Sequence, residues 1–466
     1  MENNKSLKRN ALLIAALSSF LTPFMGSSVI VSLPTMSRDL SMDAVSLSWV
    51  STAFLLSAAA CLVPFGRASD IYGRKKIFVF GIMLDNISSI LGALAPSGTF
   101  LIGCRVLQGI GGAMIFGTGI SIVTAVYPAK DRGKALGIVL TATYVGLTLG
   151  PFIGGLLTDH FGWRSIFLSN VLIGLVIIVT AIWKIKEEWA EARGETFDFA
   201  GSIIYVLSLV LTMYGLSQLP ALRGFILLLL GIAGFVCFVC WISKTKSPVM
   251  EIRLFRNNRP FLFSNIAALI NYSATFAITF IISLYLQYIM KLSAQQTGLI
   301  LISQPLVMAG CAAITGRLSD RIEPRILASA GMVALTIGLL FLAFLNDQST
   351  LRYVILDLMF IGFGFALFIS PNTNAIMSSV EKRLYGVASG MMGTMRLIGQ
   401  AFSMAIVTLM LTIYIGRTAI TPEYHPHLLQ SMKTSFVIFA VLCSFGVIAS
   451  LVRGKIRKDE GPRLLP

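Results

Sequence analysis

Four charged side chains fall inside stretches that are otherwise apolar enough to lie in a bilayer: Asp85, Arg105, Asp357 and Arg396. A carboxyl removed from water favours its neutral form, so an aspartate inside a membrane span can take up and release a proton. An arginine stays charged and needs a partner, an aromatic face or water around it. Ionisable residues at such positions mark the path of an ion or solute. Asp85 and Asp357 are the two acids that fall inside spans; the other acids sit in loops or at span ends. A plainer role is open for each group: Asp357 as partner of Arg352, five residues away, and Arg105 as a helix-to-helix hydrogen-bond donor that only fixes packing.

The elements that carry these groups are helices. Hydrophobic residues make up 56% of the 466 and charged residues 12%, a composition of a polytopic membrane protein. Fourteen runs are long enough to span: 11–33, 46–65, 77–95, 99–126, 136–157, 164–184, 199–217, 223–243, 260–289, 295–315, 326–345, 352–377, 386–415 and 431–452. The first run lacks a small-residue cleavage site and is read as a retained helix, not a signal peptide. Loops on one side of this layout hold 28 Lys and Arg and those on the other hold 7, the asymmetry of the positive-inside rule. The net charge of +16 is therefore a topology signal and an attraction to anionic lipid, not a nucleic-acid footprint.

Other chemistry finds no support. His160, His425 and His427 lie in predicted connections, and all six cysteines lie in apolar runs. Cys237 and Cys240 form a C-x-x-C without a second pair or a nearby histidine, so no metal site is read. There is no G-x-x-x-x-G-K-[ST] and no grouping of nucleophile, base and orienter in the loops, so neither a nucleotide-driven pump nor an enzyme is expected.

Four motifs are more specific. The stretch from Gly137 to Gly155, GIVLTATYVGLTLGPFIGG, places Gly137, Gly146, Gly150, Gly154 and Gly155 around Pro151. Glycines one helical turn apart let another backbone approach, and the Gly-Pro step bends the helix. The loop from Gly66 to Ile77 holds Asp70, Gly73 and Arg74 in a basic turn. Its opening, Gly66-Arg-Ala-Ser-Asp70, returns 250 residues later as Gly316-Arg-Leu-Ser-Asp320, with Arg325 retained but Glu323 and Pro324 where Gly73 and Arg74 stand. In the fourth run, Leu101, Arg105, Gln108, Gly109, Gly111, Gly112 and Ala113 form a third pattern, and Pro371-Asn372, Gly386, Gly390, Arg396, Gly399 and Gln400 form a late-helix one.

These motifs resemble those of the major facilitator superfamily, and the six, two, six arrangement of runs resembles its fourteen-helix drug:proton antiporter branch, the EmrB/QacA-like exporters. The Gly137–Gly155 stretch is similar to that superfamily's antiporter motif. The resemblance implies an all-α integral membrane protein: a six-helix bundle over 1–188, two inserted helices over 189–246 and a second six-helix bundle over 247–466, rocking about a central site. It implies a proton-driven exporter of amphipathic, multidrug-like compounds in the cytoplasmic membrane, with both termini cytoplasmic. No cofactor is needed, the partners are a small lipophilic substrate and membrane lipid, and a monomer is sufficient. Asp70 is expected to latch onto the N-terminus of the helix near Gly386 when the cytoplasmic side closes, with Asp320 and Arg325 as a weaker second latch. Arg105 is expected to assist proton transfer. Asp357 is the favoured coupling acid, because its helix corresponds to one that lines the cavity in this superfamily; Asp85 is the second choice. Asn271, Tyr272, Phe276, Tyr285, Gln304 and Asn374 are candidate pocket residues. One position departs from the branch: aligning on Pro34 puts Met25 where a first-helix aspartate is common and Ile30 where an asparagine is. That argues against copying the branch's coupling scheme or its divalent cationic substrates. The rivals are a narrow-specificity exporter or facilitator of a metabolite, lipid or siderophore, and a membrane sensor that does not transport.

Overall fold

The computed structural model describes residues 2–245, 247–250, 255, 258–319, 321–381 and 385–454, and among these it is built of helices without strands. A backbone that crosses hydrocarbon must satisfy its own hydrogen bonds, and a helix does so within one segment. Among the described residues, thirteen helices are long and apolar enough to span. We number the spans α1 (Glu2–Asp39), α2 (Ala44–Tyr72), α3 (Arg74–Ala93), α4 (Gly98–Val126), α5 (Ala129–Phe161), α6 (Arg164–Lys184), α7 (Phe199–Ser217), α8 (Leu222–Ile242), α9 (Arg259–Ile289), α10, α11 (Pro324–Ala343), α12 (Leu351–Ser378), α13 (Tyr385–Tyr414) and α14 (His425–Val452). The tenth expected run is present as two helices, Ala294–Leu301 and Ser303–Ser319, which together are α10. Ile302 between them keeps right-handed helical dihedrals, so the chain bends there without stopping. Pro305 explains the bend: its ring nitrogen cannot donate to the Leu301 carbonyl.

Helix starts are written in short polar residues. Asp43 caps α2 through Ser46 N (2.8 Å), Asp198 caps α7, and Ser293 with Gln296 forms a reciprocal capping box at the head of α10. Two spans outrun their apolar cores: α1 begins at Glu2 and carries Pro34 within it, and α5 begins at Ala129.

Packing follows the internal repeat. In the first set α1 packs on α5 and α6, α2 on α4, and α3 on α4 and α6. In the second, α9 packs on α13 and α14, α10 on α12, and α11 on α12 and α14, the same pairings with each label raised by eight. Two symmetric contacts join the sets, α2 with α13 and α5 with α10. The α7–α8 hairpin lies across the first of these seams: α7 packs on both α2 and α13, and Tyr205 of α7 donates to the Ala59 carbonyl of α2 at 3.2 Å.

The two ends of this bundle differ. We call the end that carries the loops rich in Lys and Arg the basic end, and the other the far end. The far end is closed by hydrogen bonds between the sets: Ala44 N to Thr418 O (3.0 Å), Ser48 Oγ to Thr408 Oγ1 (3.0 Å), Gln287 Nε2 to Val31 O (2.8 Å) and Gln295 N to Asp159 Oδ2 (2.9 Å). At the basic end Gly66, Gly137, Gly310, Gly316, Gly386 and Gly390 have nothing within 4 Å of where a Cβ would stand. The sets are hydrogen-bonded together at the far end, while at the basic end these six glycines meet no neighbour among the described residues.

Candidate functional site: a cavity between the two helix sets

Between the sets lies a cavity of about 260 Å³, reached by α1, α2, α4 and α5 from one side and α9, α10, α12 and α13 from the other. Its walls are mainly aromatic and aliphatic, with hydroxyls and the amides of Gln304 and Gln400 between them. Arg105 and Arg396 both face it. Of the six candidate pocket residues, Tyr272, Phe276 and Gln304 line it. The others do not: Tyr285 donates to Asn346 O at 2.7 Å, Asn374 donates to Ser319 Oγ at 3.2 Å, and Asn271 is buried in the α9 packing. Phe54, Phe116, Tyr144 and Phe365 line it as well, and no feature of their local sequence sets them apart from packing aromatics.

Arg105 is buried and held on three sides. Its Nε donates to Val50 O at 3.0 Å, its Nη1 donates to Gln108 Oε1 at 2.5 Å, and its guanidinium lies 4.4 Å from the centre of the Phe54 ring. One turn along α4, Gln108 Nε2 donates to Ser89 Oγ at 2.7 Å. Asn170 of α6 then reaches both Ser89 Oγ (2.8 Å) and Asp85 Oδ2 (2.7 Å) through its Nδ2. An unbroken line of hydrogen bonds therefore runs from the cavity wall to the buried carboxyl of Asp85 on α3. The glycines of α4 permit it: a Cβ at Gly111 would stand 3.0 Å from Asp85 N, so only a glycine lets α3 and α4 approach this closely.

Asp357 is placed differently. Its helix does line the cavity, through Phe365, Ile369 and Thr373. The carboxyl itself points to α11, with Oδ1 3.3 Å from where a Cβ of Gly338 would stand. Both its oxygens are buried without a hydrogen-bond partner among the described residues, so Arg352 does not pair with it.

The glycine-rich helix α5 makes close contacts with both sets. Gly146 and Gly150 fit against the main chain and Ser27 of α1, and Gly154 against Ser28, whose Cα would be 2.6 Å from an added Cβ. Ser28 Oγ donates to the Gly150 carbonyl at 2.8 Å. A Cβ at Gly155 would run into the Ala294 carbonyl of α10, and in return a Cβ at Gly298 of α10 would stand 2.7 Å from the carbonyl carbon of Pro151. A Cβ at Gly137, at the basic end of the same helix, would have nothing within 4 Å among the described residues.

The loop expected over Gly66–Ile77 is instead the last turns of α2 and the start of α3 with a single break at Gly73, and Asp70, in the last turn of α2, does not reach α13 in this conformation. Arg74 donates to Asp70 Oδ1 from Nε (3.0 Å) and Nη2 (2.8 Å), so the carboxylate is held within its own set. The segment 185–198, which carries no recognisable motif, folds over this stretch. Glu191 accepts from Arg74 at 2.9 Å, Glu195 from Arg67 at 2.5 Å, and Glu188 from the Lys75 main chain at 2.8 Å, while Trp189 O and Ala192 N bond the backbones of Arg74 and Asp70. Gly73 is obligatory here: its φ is +117° and a Cβ would stand 2.6 Å from Glu188. In the second copy Arg325 occupies the first turn of α11, and Asp320 lies outside the described residues.

Comparison with known proteins places this geometry. The sequence model described as Major Facilitator Superfamily matches residues 15–404. The chain belongs to the major facilitator superfamily. It is thus a multi-pass membrane transporter of small molecules, not an enzyme, and the two sets of six spans are that superfamily's fold. Among curated members it is similar to the riboflavin transporter RibZ of Clostridioides difficile (strain 630), at 28% identity over 94% of this chain and 96% of that protein. It is also similar to the multidrug resistance protein Stp of Mycobacterium tuberculosis (strain CDC 1551 / Oshkosh), at 29% over 85% and 74%. A third is the cephamycin export protein CmcT of Amycolatopsis lactamdurans, at 29% over 86% and 85%. Among solved structures of the superfamily's fold, a bacterial homologue of the human lysosomal transporter Spinster, inward-facing and unoccupied, matches with a TM-score of 0.65 at 18% identity, over 96% of this chain and 97% of that one.

Proposed function

We propose that this transporter exports amphipathic compounds across the cytoplasmic membrane in exchange for protons, with Asp85 as the coupling acid. The observation that carries the reading is the hydrogen-bonded line from Arg105 at the cavity wall through Gln108, Ser89 and Asn170 to Asp85. Loading or unloading a proton at Asp85 changes the charge that Arg105 faces, and through Arg105 the field inside the cavity. Such linkage is reciprocal, so a solute in the cavity also biases the proton. Asp357 has no comparable route to the cavity and is the weaker choice.

The bundles 1–188 and 247–466 are the moving bodies, with 189–246 as an inserted hairpin. The basic end is cytoplasmic by the positive-inside rule, which makes the present conformation inward-open. In it Asp70 is unlatched; when the cytoplasmic side closes, Asp70 leaves Arg74 for the N-terminus of α13, and Asp320 with Arg325 act as a weaker counterpart. Arg396 is a substrate-facing cation. The close approach of α5 to α1 and α10 through Gly146, Gly150, Pro151, Gly154 and Gly155 supports a seal on the outer side, the arrangement an exporter needs while it loads from within. Relatives named for drug resistance and cephamycin export support the direction. A carrier of one metabolite is the second reading, favoured by the end-to-end match to a riboflavin transporter.

The test uses inside-out vesicles with an imposed acid-inside pH gradient, to which anionic, neutral and cationic amphipathic compounds are added in turn. Collapse of the gradient in wild type and in Asp357→Asn, but not in Asp85→Asn, is the expected result. Collapse in Asp85→Asn with none in Asp357→Asn reverses the assignment of the acid. Accumulation of a compound without any proton movement removes proton coupling altogether.

A further inference from the structure

The geometry points to an aromatic organic anion as the transported compound, with its negative group seated at Arg396 in a cavity that Tyr144 and Tyr272 also line. The inference rests on the reading of this cavity as the solute site and names what that site selects. Arg105 and Arg396 face the cavity, and among the described residues that line it there is no carboxylate. The α1 wall presents Thr22, Pro23, Gly26, Ser27 and Ile30, none of them charged.

The two arginines are not equivalent. Arg105 is engaged by Val50 O, Gln108 and the Phe54 ring. Arg396 has no hydrogen bond or ion pair among the described residues, and its Nε is buried without a partner. Its guanidinium carbon lies 5.2 Å from the centre of the Phe116 ring, so an aromatic face meets the cation but accepts none of its N–H groups. Arg396 is half-buried with its Nε enclosed and unmatched, and a planar guanidinium offers a fork of donors that fits a carboxylate, sulfonate or phosphate. Tyr144 and Tyr272 line the same cavity and bring two further hydroxyl donors to it. Phe276 and Phe365 complete an aromatic surround, with Tyr272 and Phe365 edge-to-face at 5.9 Å. A cation placed here would meet two arginines and no acid.

The probes are pyrenesulfonate, pyrenemethanol and pyrenemethylammonium, which share one ring and differ in charge, with carboxyfluorescein as a second anion. Binding to the purified full-length protein in detergent is read by fluorescence anisotropy. Pyrenesulfonate is expected to bind at least roughly tenfold more tightly than pyrenemethylammonium, a preference of about 1.4 kcal/mol. Arg396→Gln is expected to weaken pyrenesulfonate at least roughly tenfold and leave pyrenemethanol within about twofold, while Arg396→Lys retains most of the anion's affinity. Unchanged pyrenemethanol binding shows that the variants are folded. Preference for the cation, binding of neither anion, or anion binding indifferent to Arg396→Gln overturns the inference. The same charge order in a protein that moves no solute supports the anion site and overturns only the transport reading.

Discussion

Gln108 stands between a cation that the cavity reaches and a carboxyl that it does not. Its two side-chain bonds, to Arg105 at 2.5 Å and Ser89 at 2.7 Å, join the two parts of the line. Replacing it with leucine keeps the volume near and removes both bonds, leaving each neighbour short of a partner at a cost of about 1–3 kcal/mol. Gln108→Leu is expected to cut solute-driven proton movement by at least roughly tenfold, with pyrenesulfonate binding within about twofold of wild type; vesicle acidity and probe anisotropy read the two separately. Proton movement at the wild-type rate would show that Asp85 communicates with the cavity by another route. The sequence reading ranks Asp357 first and the proposed coupling places Asp85 first, for a simple reason. Asp357 and Phe365 share a helix that lines the cavity, but Asp357 points to Gly338 of α11. In a helix apolar on every side, hydropathy carries no mark of which face meets lipid, a neighbour or the cavity.

At the scale of the element, α5 and α10 form the seam that must open when the transporter faces outward. Gly298 meets Pro151 so closely that an added side chain must push the two helices apart, 2.7 Å separating its Cβ position from the Pro151 carbonyl carbon. Gly298→Leu is expected to destabilise the far-end-closed conformation by about 1–3 kcal/mol, a shift of roughly 5–150-fold in its population. Labelling of a cysteine placed at Thr143 on the cavity wall by an impermeant thiol reagent, applied from each side of the membrane in turn, measures it; reactivity should move to the outer side. Reactivity unchanged from both sides would mean that this seam does not set the closed state. The spacing of Gly146, Gly150, Gly154 and Gly155 marks in the sequence where a backbone can approach α5, while Gly137 shares that spacing without a close neighbour among the described residues. The partners of α5 were not legible, since a run of glycines does not name the helix that fills its groove. The acidic segment 185–198 was equally hidden: it follows no hydrophobic period, and its contacts with Arg67, Arg74 and Lys75 depend on a fold-back that only the packing reveals.

The whole molecule repeats one six-span unit twice, and its pairings repeat with it. Much of that was readable, since length, apolarity and basic loops place spans and ends, and the GR-x-S-D repeat marks the two copies. The open and closed ends were not readable, because one sequence serves both conformations. The α7–α8 hairpin rests on α2 and α13, so it spans the seam between the units without entering the cavity. Proton-linked alternating access requires the two ends of the α5–α10 seam to move in opposite senses and requires Asp85 to sense the proton. Distances between paired spin labels test both at once: one pair at Lys134 and Arg317, exposed on the basic ends of α5 and α10, and one at His160 and Leu299, exposed on their far ends. The protein is held in lipid nanodiscs at acid and at alkaline pH. We predict that one distance lengthens as the other shortens when pH changes, and that Asp85→Asn holds both fixed. Distances that change together or not at all, or a pH response that survives in Asp85→Asn, would contradict the mechanism.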